Sequence, residues 1–240
     1  MTMTPDHCLD HLELEAARFS AVLVDGDLEA SVPACPGWDL TALAGHLGGI
    51  HRWARDAVVE GRATAEKRPY PTDRAGLRAW FDQGAGDLIS TLRGTDPTTE
   101  CWSFGPRPRT AAFWFRRQAH ETAMHARDAQ EAAGARHAPL DPELVVDGID
   151  EVLTMFLPRQ VRLGRLDPPS EVVELWPTDT GGGPFRLAPA ADGPRVGTVH
   201  ASAETLLLLL WRRRGLDAPA VRVEGDADRV RSILALPITP

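Results

Sequence analysis

One segment of the 240-residue sequence places an acid and a histidine where both can bind one ion. Glu121 and His125 stand four positions apart in a stretch with helical patterning, so their side chains leave the same face. A carboxylate and an imidazole at this spacing can reach one metal ion, and a third ligand must come from another helix. The second predicted helix carries two candidates, His46 and His51. Its apolar positions place His51 slightly nearer the centre of the buried face, but they do not choose between the two.

The same spacing is also typical of a solvated ion pair. Eight histidines in 240 residues often produce a Glu-x-x-x-His pair by chance. Arg117 and Asp128 lie near the face of Glu121 and His125, as they would on a wet surface. The segment is not the HExxH motif of zinc proteases, because the spacing from His120 to His125 is one position too long. From the spacing, a metal site and a surface ion pair both stay open.

Five helices in the first 160 residues would have to position these side chains. Apolar residues at three- and four-residue steps predict helices over about 7–25, 39–60, 74–93, 110–133 and 141–158. Asp6, Asp39 and Thr110 are the candidate N-caps of the first, second and fourth helices. Gly134 is expected to end the fourth helix, and Pro158 the fifth.

The pattern changes after about residue 165. Short strands are predicted over 171–176, 185–188, 195–200 and 220–223, with helices over 203–214 and 226–236. Helices followed by a mixed sheet with further helices predict the α+β class. We therefore expect a helical bundle over residues 1–160, followed by a small α+β domain over residues 165–240.

Composition restricts the classes of function. The formal net charge of -8 argues against general nucleic-acid binding, which needs a basic surface. The three cysteines are odd in number and widely spaced, so reduced thiols are expected rather than a disulfide framework. No apolar stretch reaches the roughly 18 to 20 residues of a membrane helix, and the N-terminus lacks the pattern of a signal peptide. We expect a cytoplasmic protein with no nucleic-acid or membrane partner.

Three motifs, in the same order along the chain, resemble one known family. Residues 32–40 and 43–47 (VPACPGWDL and LAGHL) resemble the N-terminal signature of the mycothiol-dependent maleylpyruvate isomerase family. Residues 120–129 (HETAMHARDA) resemble its second signature, and residues 203–226 are similar to its C-terminal domain. The resemblance implies a DinB-like four-helix bundle followed by a sterol-carrier-like α+β domain.

The resemblance also implies a ligand set. In that family, the histidine of the His-Leu pair and the Glu-x-x-x-His motif hold a metal ion, which corresponds here to His46, Glu121 and His125. These three residues are accordingly the expected metal ligands and catalytic residues, with His51 as the reserve third ligand. Two imidazoles and one carboxylate leave open positions on the ion, as in catalytic sites. The donor set also suits non-haem iron, but the resemblance implies zinc.

The resemblance names mycothiol as the thiol cofactor or co-substrate. The chain is rich in Ala, Arg, Gly and Pro, as proteins encoded by high-GC genomes are, and this residue usage fits an actinobacterial host. A metal-bound thiol loses its proton at neutral pH, so a mycothiol thiolate is expected to attack an electrophilic small molecule. Cis-trans isomerisation and S-transfer are both compatible with this chemistry. Arg117 and Trp114 are the candidate substrate contacts. A monomer or homodimer is expected, and the alternative function is a non-catalytic small-molecule or partner-binding protein on the same bundle.

Overall fold

The computed structural model of the chain describes residues 3–65, 67–188 and 193–240. Within these residues the chain has eight α-helices and four β-strands, and it belongs to the α+β class predicted from the sequence. It divides into two compact units, the first ending at Pro139 and the second spanning Leu140–Pro240. The predicted fifth helix lies within the second unit.

The first unit consists of four long helices. They are α1 (Pro5–Asp25), α2 (Leu40–Glu60), α3 (Arg74–Arg93) and α4 (Ala112–Ala132). The hydroxyl of Thr4, rather than the carboxylate of Asp6, caps α1, because Pro5 can occupy the first helical turn. The predicted cap Asp39 accepts a hydrogen bond from the amide of Ala42. No side-chain hydrogen bond caps α4, so the prediction for Thr110 is wrong.

The four helices enclose one apolar core. Helix α1 packs against α3 and α4, and α2 packs against the same two helices from the other side. Each helix contributes apolar side chains to the core, with Phe19, Leu43, Leu77 and Ala126 as one member from each. The contact between α2 and α4 brings the histidine-bearing face of α2 to the segment that carries Glu121 and His125.

The second unit begins with a helix that continues past the predicted end at Pro158. Helix α5 (Pro142–Glu151) runs through a π-helical turn over Val152–Phe156 into α6 (Leu157–Arg162). Pro158 stands in the first turn of α6, where its missing N–H does not interrupt a hydrogen bond. The wider π turn therefore lets the chain stay helical where proline was expected to end it.

A four-stranded sheet completes the second unit. Strands β1 (Val172–Pro177), β2 (Phe185–Leu187), β3 (Arg195–Ala201) and β4 (Arg222–Gly225) are arranged in the order β2-β1-β3-β4. The pair β1/β3 is parallel, and the two outer pairs are antiparallel. Helices α7 (Ala203–Leu210) and α8 (Ala227–Leu234) pack against the sheet. Helix α7 ends earlier than predicted, because Arg212 adopts a left-handed conformation with φ 58°.

Among the residues that the structure describes, no helix has both the length and the apolar character to cross a membrane.

Candidate metal centre

Three donor atoms from two helices of the first unit converge on one point. The Nε2 atom of His46 on α2 lies 3.3 Å from Oε1 of Glu121 on α4. One turn further along α4, Nε2 of His125 lies 3.4 Å from the same oxygen. The centroids of the two imidazole rings are 5.2 Å apart, with the rings nearly perpendicular. The structure thus brings together the three side chains that the resemblance implied.

The spacing of these atoms fits a small divalent cation. Two ligand atoms about 2.0 to 2.1 Å from a tetrahedral zinc ion lie about 3.4 Å from each other. The side chains are 29%, 18% and 11% exposed for His46, Glu121 and His125, so a small molecule can reach the cluster from solvent. Two imidazoles and one carboxylate can therefore hold a metal ion and leave a coordination position for a further ligand.

A buried arginine holds the far oxygen of the carboxylate. Arg117, one turn before Glu121 on α4, donates from its guanidinium to Oε2 of Glu121 at 2.7 Å. Its side chain is only 3% exposed. Burial alone would raise the pKa of Glu121, but the charge of Arg117 and hydrogen bonds from the two histidines hold that pKa well below its usual range. The carboxylate is thus ionised, with Oε1 directed to the histidines.

A buried aspartate holds the far nitrogen of His125. Oδ2 of Asp128 lies 2.9 Å from Nδ1 of His125, and the Asp128 side chain is fully buried. A carboxylate only accepts hydrogen bonds, so Nδ1 carries the proton and Nε2 is the nitrogen available to a metal. Burial alone would lower the pKa of this imidazole, but hydrogen bonds with Asp128, Cys35 and Glu121 raise it well above its usual range. A metal ion would therefore displace a proton from Nε2.

His51, the other candidate on α2, lies away from this cluster. Its Nε2 atom is 2.9 Å from Oγ1 of Thr122, and its ring packs beside Phe81 with no exposed surface. Burial lowers the pKa of His51 to about 3, so the ring stays neutral in the folded protein. The apolar positions of α2 indicated that His51 is the more buried of the two histidines, and the structure places its ring in the core.

The two candidate substrate contacts also have defined positions. Trp114 is completely buried, donates from Nε1 to the carbonyl of Trp102 at 2.8 Å, and packs edge-on against Trp53. Arg117 is bound to Glu121, as described above. Their role as substrate contacts stays a prediction. His120 is 3% exposed, so it too lies inside the bundle.

The sequence placed Arg117 and Asp128 near the face of Glu121 and His125 without deciding between a metal site and a wet surface, and the structure buries both. The signal that could have identified them is their spacing, three and four residues from a candidate ligand on α4. The side chains of Cys35 and Trp38, from the segment between α1 and α2, also approach the cluster. Cys35, His125 and Asp128 form a second group of mutually close donor atoms.

Comparisons with known proteins identify the family and the fold. Residues 9–130 match the family described as the mycothiol maleylpyruvate isomerase N-terminal domain, and residues 143–231 match the MDMPI C-terminal domain. No curated protein matches the chain.

Two solved structures share the fold over most of both chains. They are the mycothiol-dependent maleylpyruvate isomerase and a histidine-to-alanine mutant of it. Each is 17% identical, with 95% of this chain and 97% of the other covered, at TM-scores of 0.66 and 0.67. The two domain families together span most of the chain in the expected order. The chain therefore belongs to the mycothiol-dependent maleylpyruvate isomerase family of enzymes.

Proposed function

We propose that the protein is a metal-dependent enzyme that uses mycothiol as thiol cofactor or co-substrate to attack an electrophilic small molecule. The observation that carries this proposal is the convergence of His46, Glu121 and His125. Arg117 binds the second carboxylate oxygen of Glu121, and Asp128 binds the second ring nitrogen of His125. Membership of the family supports the thiol, and the isomerase name of the solved relatives supports cis-trans isomerisation of the maleylpyruvate type.

A bound divalent cation, zinc in our proposal, supplies positive charge that favours the thiolate form of a thiol at neutral pH. A thiolate held there would supply reversible addition to a conjugated cis double bond. Rotation about the resulting single bond and loss of the same thiolate would give the trans isomer, whereas protonation of the adduct would retain the thiol and amount to S-transfer. The residues of the chain would bind the cation and fix the direction of its donor atoms. Glu121 and His125 use one atom each for the cluster, because Arg117 and Asp128 occupy the other.

The formal charges of the site favour an anionic ligand. The charge of Arg117 cancels that of Glu121, and these two side chains are in direct contact. A divalent cation held beside these paired side chains would add positive charge to a partly buried site. A thiolate would offset that charge better than a neutral thiol.

We also propose a cytoplasmic location, which the odd number and wide spacing of the cysteines support. Cys8, Cys35 and Cys101 form no disulfide bond with one another. Free cysteines persist in compartments that keep thiols reduced, and a thiol co-substrate requires the same conditions.

The first test is elemental analysis of the full-length protein, purified without a histidine tag or chelator. We expect about one zinc ion per chain in the wild-type protein and a loss of most metal in His46→Ala and His125→Ala. The matched control is His51→Gln, which changes the other histidine of α2 and is expected to retain the metal. Loss of metal in His51→Gln with retention in His46→Ala would contradict the ligand assignment.

The second test is turnover of maleylpyruvate by the zinc-loaded protein with and without mycothiol, followed by absorbance. Isomerisation that requires the thiol and releases it unchanged supports an isomerase, whereas mass-spectrometric detection of a stable thiol adduct supports an S-transferase. A protein that holds no metal after incubation with zinc, and turns over nothing with mycothiol, would be the binding scaffold instead.

A further inference from the structure

The segment between α1 and α2 ends in a loop over residues 31–39, whose backbone is held by hydrogen bonds within the loop. Its two ends pair in an antiparallel bridge, and the amide of Val32 donates to the carbonyl of Trp38 at 2.9 Å. Within the loop the amide of Cys35 donates to Val32, and the amide of Trp38 donates to Cys35, both at 3.0 Å. Gly37 adopts φ 83°, a conformation that a residue with a Cβ atom rarely adopts.

This 31–39 loop places an indole ring against one histidine of the metal centre. The ring of Trp38 lies with its centroid 4.8 Å from that of His46, at an interplanar angle of 55°. On its other side, Trp38 packs against the apolar core of the bundle. The His46 ring therefore has a fixed aromatic surface behind it, which limits its rotation about the side-chain bonds.

The same loop places a thiol against the support of the other histidine. Sγ of Cys35 donates to Oδ2 of Asp128 at 4.0 Å, a long contact for a weak donor. This oxygen is the one that lies 2.9 Å from Nδ1 of His125. Cys35 also packs against the bundle core, so the thiol is held in place from the loop side. One loop thus contacts His46, on α2, and places the Cys35 thiol beside both Asp128 and His125, on α4.

We propose that the 31–39 loop is a positioning element for the metal centre, in which Trp38 orients His46 and Cys35 steadies the Asp128 carboxylate that orients His125. The inference rests on the proposed function where it treats both histidines as metal ligands. Ligands from two helices must meet within a fraction of an ångström, and residues behind such ligands commonly change metal affinity by about tenfold to a hundredfold. In this proposal Trp38 and Cys35 act as positioning residues.

The test uses Co²⁺ as a spectroscopic probe, added to the metal-free full-length protein. We expect Trp38→Leu to lower the Co²⁺ affinity by about tenfold or more and to alter the visible absorption bands, because His46 loses its aromatic support. Trp38→Phe keeps an aromatic ring and is expected to restore most of the affinity and the wild-type band pattern. Cys35→Ala is expected to weaken binding by a few-fold, whereas Cys35→Ser keeps a donor and stays close to the wild type.

The matched control is Trp53→Leu, which removes a half-buried tryptophan that packs against Trp114. We expect this variant to lose thermal stability but to keep the wild-type Co²⁺ affinity and bands. A Trp38→Leu protein with wild-type affinity and bands would overturn the proposal, as would an equal loss of affinity in Trp53→Leu.

The metal-free protein provides a second readout that separates this proposal from the proposed function. The relaxation of the His46 ring signals in NMR spectra should report greater ring motion in Trp38→Leu than in the wild type, and that of the His125 ring signals should do so in Cys35→Ala. Absence of Co²⁺ binding in the wild type would remove the metal from the proposed function. The positioning role would then stand if these ring signals respond to the loop variants, and fall if they do not.

Discussion

The two ring nitrogens of His125 have different partners, and this division decides how the residue can work. Nδ1 faces a fully buried carboxylate at 2.9 Å, while Nε2 faces Oε1 of Glu121 at 3.4 Å. A ring fixed in this way presents one lone pair in one direction, which lowers the entropic cost of binding an ion. The same carboxylate increases the basicity of the ring, so protons and metal ions compete for Nε2.

Replacement of the buried carboxylate should weaken metal binding more than it weakens the fold. Asp128→Asn keeps the size of the side chain but removes the charge that fixes the tautomer of His125. We expect the zinc affinity, measured by competition with a chromophoric chelator, to fall by about tenfold to a hundredfold. The control is Asp87→Asn, an exposed position on α3. Unchanged zinc affinity in Asp128→Asn would show that His125 needs no support from this residue.

His51 should make the fold sensitive to mild acid. Burial lowers its pKa to about 3, whereas an unfolded histidine has a pKa near 6.5. Below that value the unfolded chain binds a proton that the folded chain does not, so acid favours unfolding. His51 should lower the free energy of unfolding by about 1.4 kcal/mol per pH unit between about pH 6 and 5. His125 has a raised pKa and is protonated in both states there, so it adds no slope.

Urea unfolding of the metal-free protein at several pH values measures this dependence. The His51→Gln variant cannot take up the proton and should show a smaller slope over the same range. Identical slopes in the two proteins would mean that His51 is not held neutral by the fold.

Among the elements, α2 approaches α3 closely at Gly48, which has no side chain. A Cβ atom at Gly48 would lie 2.3 Å from Cζ3 of Trp80, so the indole of α3 packs directly on the α2 backbone. The Arg52 guanidinium covers the same indole, 3.9 Å from its centroid, and donates to the carbonyl of Gly48. This contact fixes the distance between α2 and α3 and, with it, the position of α2 in the bundle.

Two glycine-to-alanine variants separate helix propensity from packing. Gly48→Ala gains up to about 1 kcal/mol of helix propensity but must displace Trp80, at an expected cost of about 1 to 3 kcal/mol. Gly86→Ala, an exposed glycine within α3 with open space at its Cβ position, should gain the propensity at no such cost. We expect thermal unfolding to show a lower melting temperature for Gly48→Ala and an equal or higher one for Gly86→Ala. A higher melting temperature for both would mean that the contact with Trp80 is loose.

At the scale of the whole molecule, all the donor atoms of the centre belong to the first unit. His46 on α2 and the two α4 residues are close only when these helices pack together, so a metal ion binds the folded unit in preference to the unfolded chain. Metal binding should therefore stabilise the bundle.

Zinc in excess of the protein should raise the melting temperature of the full chain. At a free concentration one hundred times the dissociation constant, the expected gain in free energy of unfolding is about 2.7 kcal/mol. Calorimetry with zinc and with chelator measures it, and amide exchange within α4 should slow in parallel. His125→Ala should show neither effect. Equal stabilisation of that variant would place the zinc elsewhere in the protein.

Local patterns in the sequence were sufficient for most of the elements and for the candidate donors. The apolar spacing predicted a helix over 74–93, which agrees with α3, and Asp39 caps α2 as predicted. The four-residue spacing of Glu121 and His125 placed them on one helix face, since helical periodicity is a local property. The motifs indicated the family, which the two domain matches confirm.

Only the tertiary structure decided which partners these residues meet. Periodicity shows that one face of α2 is buried, but the rotation of α2 against α4 determines that His46, and not His51, lies 3.3 Å from Glu121. The same packing buries Asp128, which the sequence alone could place either on a wet surface or beside a metal site. Spacing along one helix restricts which residues share a face. The distance between atoms on two helices depends on how all their side chains interlock, and no local pattern contains that information.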